Sequence, residues 1–238
     1  MVATLPPGRK IVVVSPHSDD AVLSLGAAIA SWVRRGSVVE LLTVLALDPE
    51  SEGAAGGWDA RAGFATEGEA AVRRRDEDRR ACAFLGASPS WLPFGSVDYE
   101  RHGDEDAVRA AVGEVLVGAD AVLLPGSPLT HPDHTWLVRV LAGSPLPPAG
   151  LYAEQPYTRK SDSAPSPPPW LDDALGPAAF EPIGVSLRDR LAKWRAIREY
   201  ASQLPLLALQ GSVRRGAASL ALASELAAWP AGRDRGAV

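Results

Sequence analysis

An apolar run of β-branched residues near the start of the chain most constrains the fold. Residues 10–15 (KIVVVS) have the continuous apolar pattern of a strand buried on both faces. Residues 21–36 carry apolar side chains at helical spacing and end in two arginines and a glycine, which predicts a helix and its end. A second apolar run at 38–47 predicts another strand. Strand, helix and strand in direct succession indicate a βαβ unit with a parallel pair.

The rest of the chain continues this alternation. Further strands are predicted at 90–95, 120–126 and 150–157, and further helices at 71–87, 104–119, 131–143, 187–204 and 216–229. The glycine-rich, acidic stretch 48–70 and the proline-rich stretch 161–170 lack periodicity and are predicted to be irregular. The pattern predicts an α/β fold, a three-layer α/β/α sandwich with a Rossmann-like, mostly parallel sheet. The length of 238 residues favours one domain over residues 1–238.

Composition excludes several classes of function. A formal net charge of -5 argues against a general nucleic-acid or anionic-membrane surface. The single cysteine, Cys82, cannot form an internal disulfide, and its helical surroundings indicate a small buried residue. Neither a secretory signal nor a membrane-spanning run is evident, so we expect a cytoplasmic protein. The apolar segment 216–229 could pack internally or against a second copy, which leaves a homo-oligomer open.

Two short polar clusters follow predicted strands. PHSDD (16–20) follows the first strand, and THPDH (130–134) follows strand 120–126. Three of the four histidines fall in these two pentapeptides, and only His102 lies elsewhere. Ligand sites in open α/β sheets lie just beyond the carboxyl ends of the strands, where both clusters are expected.

The residue types in the clusters suit a divalent metal. His17 and Asp20 stand three apart at a strand-to-helix turn, so both can point into one crevice, and imidazole and carboxylate both suit Zn²⁺. His131 and His134 lie one helical turn apart, so one could complete the ligand set while the other faces substrate. Asp19 could accept a proton from water, and Asp133 could orient a histidine. Fe²⁺ or Co²⁺ would fit the same atoms.

Helix capping is the competing interpretation. Ser18 or Asp19 could cap the first helix, and THPDH is a plausible cap with Pro132 in the first turn. Capping explains the aspartates well and the histidines poorly. Three histidines in two strand-exit turns favour a shared metal.

At these residues the sequence resembles the PIG-L/LmbE family of zinc-dependent N-acetylglucosaminyl de-N-acetylases. PHSDDAVLSLG (16–26) is similar to the family's first motif, and HPDH (131–134) matches its second. Three weaker stretches, 74–87, 152–157 and 193–204, agree in the same order along the chain. Two residues depart from the pattern: Ser18 stands where the family has proline, and Ala21 where it has glutamate.

The resemblance implies a role for each matching residue. The implied zinc ligands are His17, Asp20 and His134. Asp19 would be the general base, and His131 would stand at the developing oxyanion with Asp133 orienting it. Arg74 and Asp98 lie where the family often contacts substrate. The resemblance does not cover Trp58, an aromatic residue of the glycine-rich loop that could stack on a sugar ring.

These expectations combine into one leading function and two alternatives. The leading prediction is a zinc-dependent hydrolase that removes an N-acyl group, expected to be N-acetyl, from an amino sugar or glycosylated small molecule. The first alternative is an amidase for a non-sugar N-acyl conjugate. The second is a metal-free α/β protein that binds an anion at helix N-termini, although Asp19 and Asp20 would repel an anion.

Overall fold

The computed structural model describes residues 8–99, 103–160, 164–209 and 216–230. Within these residues seven strands form one sheet, in the order β3-β2-β1-β4-β5-β7-β6. The strands are β1 (Lys10–Ser15), β2 (Val38–Thr43), β3 (Ser88–Trp91), β4 (Ala121–Ser127), β5 (Ala149–Ala153), β6 (Glu181–Pro182) and β7 (Leu226–Ala228). The first five are parallel, whereas β7 runs antiparallel to both β5 and β6.

Helices cover both faces of the sheet. They are α1 (Asp20–Arg34), α2 (Gly57–Arg61), α3 (Glu67–Leu85), α4 (Glu105–Val115), α5 (Pro132–Ala142), α6 (Pro169–Leu175), α7 (Leu187–Ile197), α8 (Leu204–Leu209) and α9 (Gly216–Leu222). Helices α1, α3, α7 and α9 pack together on one face, and α4, α5 and α6 on the other. The fully buried residues of β1 alternate between two apolar cores, because successive side chains of a strand point to opposite faces. The predicted three-layer α/β/α sandwich is confirmed.

The order of the strands fixes where a ligand site can form. Strand β1 lies between β2 and β4, so the chain leaves β1 toward one side of the sheet and later returns on the other side. A crevice opens at such a reversal of strand order, outside the carboxyl ends of the strands. The first polar cluster follows β1 and the second follows β4. The topology therefore brings together two segments that lie far apart in sequence.

The predicted helix at 216–229 is wrong in its second half. Helix α9 ends at Leu222, and Leu226–Ala228 form β7 instead. β7 pairs with β5 and β6, and Glu225 just before it is buried in an ion pair with Lys193. These long-range contacts outweigh the helical propensity of an alanine- and leucine-rich segment.

Other boundaries differ by a few residues. The helix predicted over 187–204 ends at Ile197, followed by turns and the short helix α8. Strand β3 begins two residues before the predicted 90–95, and the predicted irregular stretch 48–70 contains α2 and the first turn of α3. Residues 161–163 and His102 lie outside the described residues. Among the described helices, none is both long and apolar enough to cross a bilayer.

Candidate active site

The turn between β1 and α1 is held in a fixed shape by Ser15. Its hydroxyl donates to the carbonyl of His17 and accepts from the amide of Ala21. The carboxylate of Asp20 turns back and accepts from the backbone N–H of His17 at 2.9 Å. Asp19 is the N-cap residue of α1, yet its side chain makes no capping hydrogen bond. The capping interpretation therefore does not account for the carboxylate of Asp19.

Three donor atoms from the two clusters converge on one point. Asp20 Oδ2 lies 3.1 Å from His17 Nδ1 and 3.1 Å from His134 Nε2. The two ring nitrogens are 3.3 Å apart. His134 is fully buried, and His17 is the partly exposed member of the group. The structure thus brings together the three residues that the resemblance implies as metal ligands.

His17 Nδ1, Asp20 Oδ2 and His134 Nε2 form a triangle whose size fits a small divalent cation. Ligand atoms at about 2.0–2.2 Å from a tetrahedral ion lie roughly 3.3–3.6 Å apart. The observed separations of 3.1–3.3 Å come within a few tenths of an ångström of that spacing. Two nitrogens and one oxygen leave a fourth position open, as in catalytic zinc sites. The residues present therefore fit the metal that the resemblance implies.

A buried carboxylate lies behind each of the two histidines. His17 Nε2 is 2.9 Å from Asp133 Oδ2, and His134 Nδ1 bonds to Glu154 Oε1. Asp133 and Glu154 are 1% and 2% exposed. Each carboxylate orients an imidazole so that its other nitrogen faces the triangle, the usual arrangement behind metal-binding histidines.

Asp133 has a different partner from the one expected. Its Oδ2 is 3.7 Å from His131 Nδ1, too far for a hydrogen bond, against 2.9 Å for His17. The backbone explains this, because Asp133 lies in the first turn of α5 and its own N–H donates to His131 Nδ1 at 3.3 Å. His131 therefore serves as the N-cap of α5, and the expected cap at THPDH is present.

His131 stands beside the triangle. One ring nitrogen each of His17, His131 and His134 lies within 4.8 Å of the others, so three histidines also form a potential metal group. That span exceeds the tetrahedral spacing, which favours Asp20 over His131 as the third ligand. Because His131 Nδ1 accepts a hydrogen bond, its neutral ring carries the proton on Nε2.

Burial and neighbouring charges shift the pKa values of the cluster. Burial disfavours the charged imidazole of His17, but hydrogen bonds to Asp133 and Asp20 outweigh it and raise its pKa to about 9. Burial also opposes the charge of His134, yet the carboxylates of Asp20 and Glu154 raise its pKa well above the usual range. Burial, with the charges of His17 and His134, lowers the pKa of His131 to about 4.

The pKa values of the two adjacent aspartates shift in opposite directions. Burial and the charge of Asp20 raise the pKa of Asp19 to about 7, partly opposed by His17 and Arg74. Burial acts in the same direction on Asp20, but His134 and His17 hold its pKa well below the usual range. Two carboxylates with separated pKa values are typical of sites where one accepts protons and the other stays ionised.

The comparison with protein families agrees with this geometry. Residues 12–142, more than half of the chain, match the PIG-L family model, described as GlcNAc-PI de-N-acetylase. The chain belongs to the PIG-L family. No protein of curated function matches the sequence.

Solved structures share the fold of this PIG-L chain. The A40926 pseudoaglycone deacetylase Dbv21 is 23% identical over 94% of this chain and 97% of its own, with a TM-score of 0.71. The zinc-inhibited form of teicoplanin deacetylase Orf2 is 20% identical over 95% and 100%, with a TM-score of 0.70. The hydratase GalB of Pseudomonas putida is 22% identical over 96% and 100%, with a TM-score of 0.62. At these identities the likeness establishes the fold.

Arg74, expected at the substrate, lies near the PIG-L site and is held by an acidic partner. Its guanidinium bonds to Asp59 of α2, which is 1% exposed. Tyr99 donates its hydroxyl to the other oxygen of Asp59 at 2.5 Å. Arg74 is close enough to Asp19 to lower the pKa of that carboxyl. The side chain of Arg74 therefore connects the glycine-rich loop with the site.

Asp98 and Trp58, also expected to contact substrate, have structural contacts. Asp98 Oδ2 accepts from the backbone N–H of Trp58 at 2.8 Å, at the start of α2. The indole of Trp58 packs against the apolar core and donates to Gln203 at 2.9 Å. These contacts hold α2 in place.

The weaker matches at 74–87 and 193–204 join two helical segments. Glu77 of α3 accepts from both the hydroxyl and the backbone N–H of Ser202, at 2.7 and 3.1 Å. Asp78 accepts from the hydroxyl of Tyr200 at 2.7 Å. These four polar residues therefore form structural bonds between α3 and the segment after α7.

Two residues of the weak match at 152–157, Glu154 and Tyr157, lie beside His134, and sequence reasoning missed Glu154. Glu154 directly follows β5, and the ring of Tyr157 meets that of His134 edge-on with 5.6 Å between centroids. The available signal for Glu154 was an acidic residue inside an apolar stretch predicted as strand 150–157, where a buried carboxylate needs a partner. Ala21, the departure from the family pattern, is fully buried in the apolar core, where a glutamate would need a partner.

Proposed function

We propose that this PIG-L protein is a metal-dependent N-deacetylase that hydrolyses the acetamido group of an amino sugar or glycosylated small molecule, with Zn²⁺ as its metal. The observation that carries the proposal is the convergence of His17 Nδ1, Asp20 Oδ2 and His134 Nε2 within 3.3 Å of one another. Two imidazole nitrogens and one carboxylate oxygen are a ligand set typical of catalytic zinc, which the imidazoles bind in their deprotonated, neutral form.

In the proposed reaction the metal would supply Lewis acidity, and residues of the chain would transfer the protons. A bound divalent cation supplies Lewis acidity for the amide carbonyl and for water at the open position. Asp19 accepts a proton from the attacking water as the new C–O bond forms, because its carboxylate is not engaged in capping the helix. It returns that proton to the nitrogen as the C–N bond breaks, giving acetate and a free amine.

His131 is suited to stabilise the negative charge that develops on the carbonyl oxygen of the amide. Its Nδ1 is engaged by the N–H of Asp133, so the ring offers an N–H donor at Nε2. Such a donor, fixed before the reaction, stabilises an oxyanion more than bulk water does. Tyr157, whose ring packs against both His131 and His134, narrows the crevice on this side.

The substrate class rests on the family and on the structural neighbours. The family model is that of a GlcNAc-PI de-N-acetylase. One structural neighbour is named as an A40926 pseudoaglycone deacetylase, and another as a deacetylase in the biosynthesis pathway of teicoplanin. GalB has the same fold and is named as a hydratase, so the fold alone does not select amide hydrolysis. Anion binding without a metal is disfavoured, because carboxylates of Asp19, Asp20, Asp133 and Glu154 surround the crevice.

Activity and metal content, measured together, test the proposal. Asp19→Asn should lower turnover of an N-acetyl amino sugar by roughly 10²–10⁴-fold with its zinc content unchanged. His134→Ala should lower both, because it removes a ligand. A substrate panel of N-acetyl hexosamines, glycosylated N-acetyl compounds and N-acyl amino acids separates sugar from non-sugar amides. Full turnover by Asp19→Asn would exclude Asp19 as the base, and a wild-type protein without bound metal would overturn the proposed mechanism.

A further inference from the structure

Glu154 carries an inference that extends the proposed function. It directly follows β5 and is 2% exposed. One carboxylate oxygen bonds to His134 Nδ1, and the other accepts from the backbone N–H of Leu129 at 2.8 Å. Each oxygen of this buried carboxylate therefore has its own partner, one on the histidine and one on the turn after β4.

The hydrogen bond from His134 to Glu154 decides which ring nitrogen of His134 can bind a metal ion. His134 is fully buried, so solvent cannot replace Glu154 as the partner of Nδ1. With Nδ1–H committed to Glu154, the lone pair of the neutral ring lies on Nε2, which is the nitrogen 3.1 Å from Asp20. The opposite tautomer would present an N–H to a cation and would leave a buried hydrogen bond unmade.

The bond to Leu129 fixes the turn that carries the second motif. Leu129 has φ +51°, a left-handed conformation that a leucine rarely adopts. Its N–H is held by Glu154, and its carbonyl accepts from the hydroxyl of Thr135 at 2.7 Å. These two bonds hold the strained residue in place just before His131. One glutamate thus positions both the histidine and the backbone that leads to it.

The same arrangement occurs on the other side of the triangle. Asp133 bonds to His17 with Oδ2 and accepts from the backbone N–H of Val97 with Oδ1 at 2.9 Å. Each histidine of the triangle is therefore oriented by a buried carboxylate that is itself tied to a loop amide. Two independent copies of this arrangement argue against an incidental contact.

We propose that Glu154 is a positioning residue that fixes the tautomer and orientation of His134 and thereby sets the affinity of the site for Zn²⁺. The inference rests on the proposed function for the identity of the site, but its test measures metal binding without catalysis. Loss of a carboxylate behind a metal-binding histidine lowers affinity by roughly 10–100-fold.

The experiment compares the zinc dissociation constants of full-length variants by competition with a fluorescent chelator, using Zn²⁺ alone. Glu154→Gln keeps the volume but can accept only one of the two hydrogen bonds, so we expect zinc binding to weaken roughly 10–100-fold. Glu154→Asp keeps the charge and retracts it from His134, and it serves as the second variant if the glutamine variant does not fold. Circular dichroism and thermal unfolding establish which variants are folded.

Glu77→Gln is the matched control. Glu77 is also a buried glutamate that accepts a loop N–H, but its other partners are a serine hydroxyl and the guanidinium of Arg73, with no histidine among them. This variant should lower the unfolding temperature and leave the zinc dissociation constant unchanged. A general loss of stability would affect Glu77→Gln and Glu154→Gln alike, so only a change confined to position 154 supports the proposal.

The outcomes separate this inference from the proposed function. A folded Glu154 variant that binds zinc as tightly as the wild type overturns the inference, even if the wild type is an active deacetylase. Weakened binding in the Glu154 variants supports the inference, even if no acetamido sugar is cleaved and the proposed substrate class is wrong. A wild-type protein that binds no zinc overturns both.

Discussion

Lys193→Met should be among the most destabilising single substitutions outside the active site. Lys193 and Glu225 are both fully buried, and Lys193 Nζ lies 2.7 Å from Glu225 Oε1. Glu225 also accepts the N–H groups of Ala27 and Ala28 in α1, at 2.9 and 2.6 Å. Removing the lysine leaves a buried carboxylate that has lost its ion-pair partner.

The size of the effect follows from burial. Removing one partner of a buried ion pair costs about 3–5 kcal/mol, because the remaining charge has lost both its water and its counterion. For a chain of this length 1 kcal/mol corresponds to about 2–4 °C, so the unfolding temperature should fall by about 6–20 °C. The double variant Lys193→Met/Glu225→Gln should be more stable than Lys193→Met alone, since it leaves no uncompensated charge.

The assay is urea and thermal unfolding followed by circular dichroism. Asp76→Asn is the control, because the Asp76–Arg79 pair has 52% and 54% exposed side chains and should contribute less than about 1 kcal/mol. The reasoning is refuted if Lys193→Met loses no more stability than Asp76→Asn, or if the double variant is less stable than the single one.

Three further predictions concern stability. Burial raises the pKa of Asp78 to about 6. The protonated side chain therefore stabilises the fold most below pH 4, and this stabilisation is lost as the pH rises through 6. Because only the wild type loses this stabilisation, the free energy of unfolding of Asp78→Asn should rise relative to that of the wild type by up to about 3 kcal/mol between pH 4 and 7. Urea unfolding at several pH values measures the difference, and a difference that does not change with pH would contradict the prediction. Gly150→Ala should lower the free energy of unfolding by about 1–3 kcal/mol, because a Cβ at this position of β5 would lie 2.9 Å from the ring of Trp229. An unchanged unfolding temperature would exclude that close contact. Ser202→Ala should cost about 1–3 kcal/mol by urea unfolding, because buried Glu77 loses a hydroxyl partner, and Ser202→Thr should recover part of the loss.

Local sequence pattern was sufficient for the layered architecture. β1, β2 and β4 are short apolar runs, and α1 and α5 have clear helical spacing, so their assignment needed only neighbouring residues. The clustering of three histidines at two strand exits likewise indicated the candidate site, and the structure brings these histidines together. The family resemblance is confirmed by the match over residues 12–142.

The element that the sequence pattern predicted wrongly depends on distant partners. Residues 226–228 form a strand because β5 and β6 lie beside them, although their composition favours a helix. The contacts of Trp58 and Asp98 are also long-range, to Gln203 and to the start of α2, and their contact with substrate stays a prediction. The residues near Trp58 in sequence could not predict its hydrogen bond to Gln203, because that glutamine lies far along the chain.

The sequence by itself determined the alternation of strands and helices and the types of side chain that end two of the strands, because both depend on residues close together in the chain. Only the tertiary structure decided that β1 and β4 are neighbours, that Asp133 bonds to His17, and that Glu154 stands behind His134. The physical reason is that hydrogen bonds and metal sites require atoms within a few ångströms of one another, and the packing of the whole sheet decides which distant residues come that close.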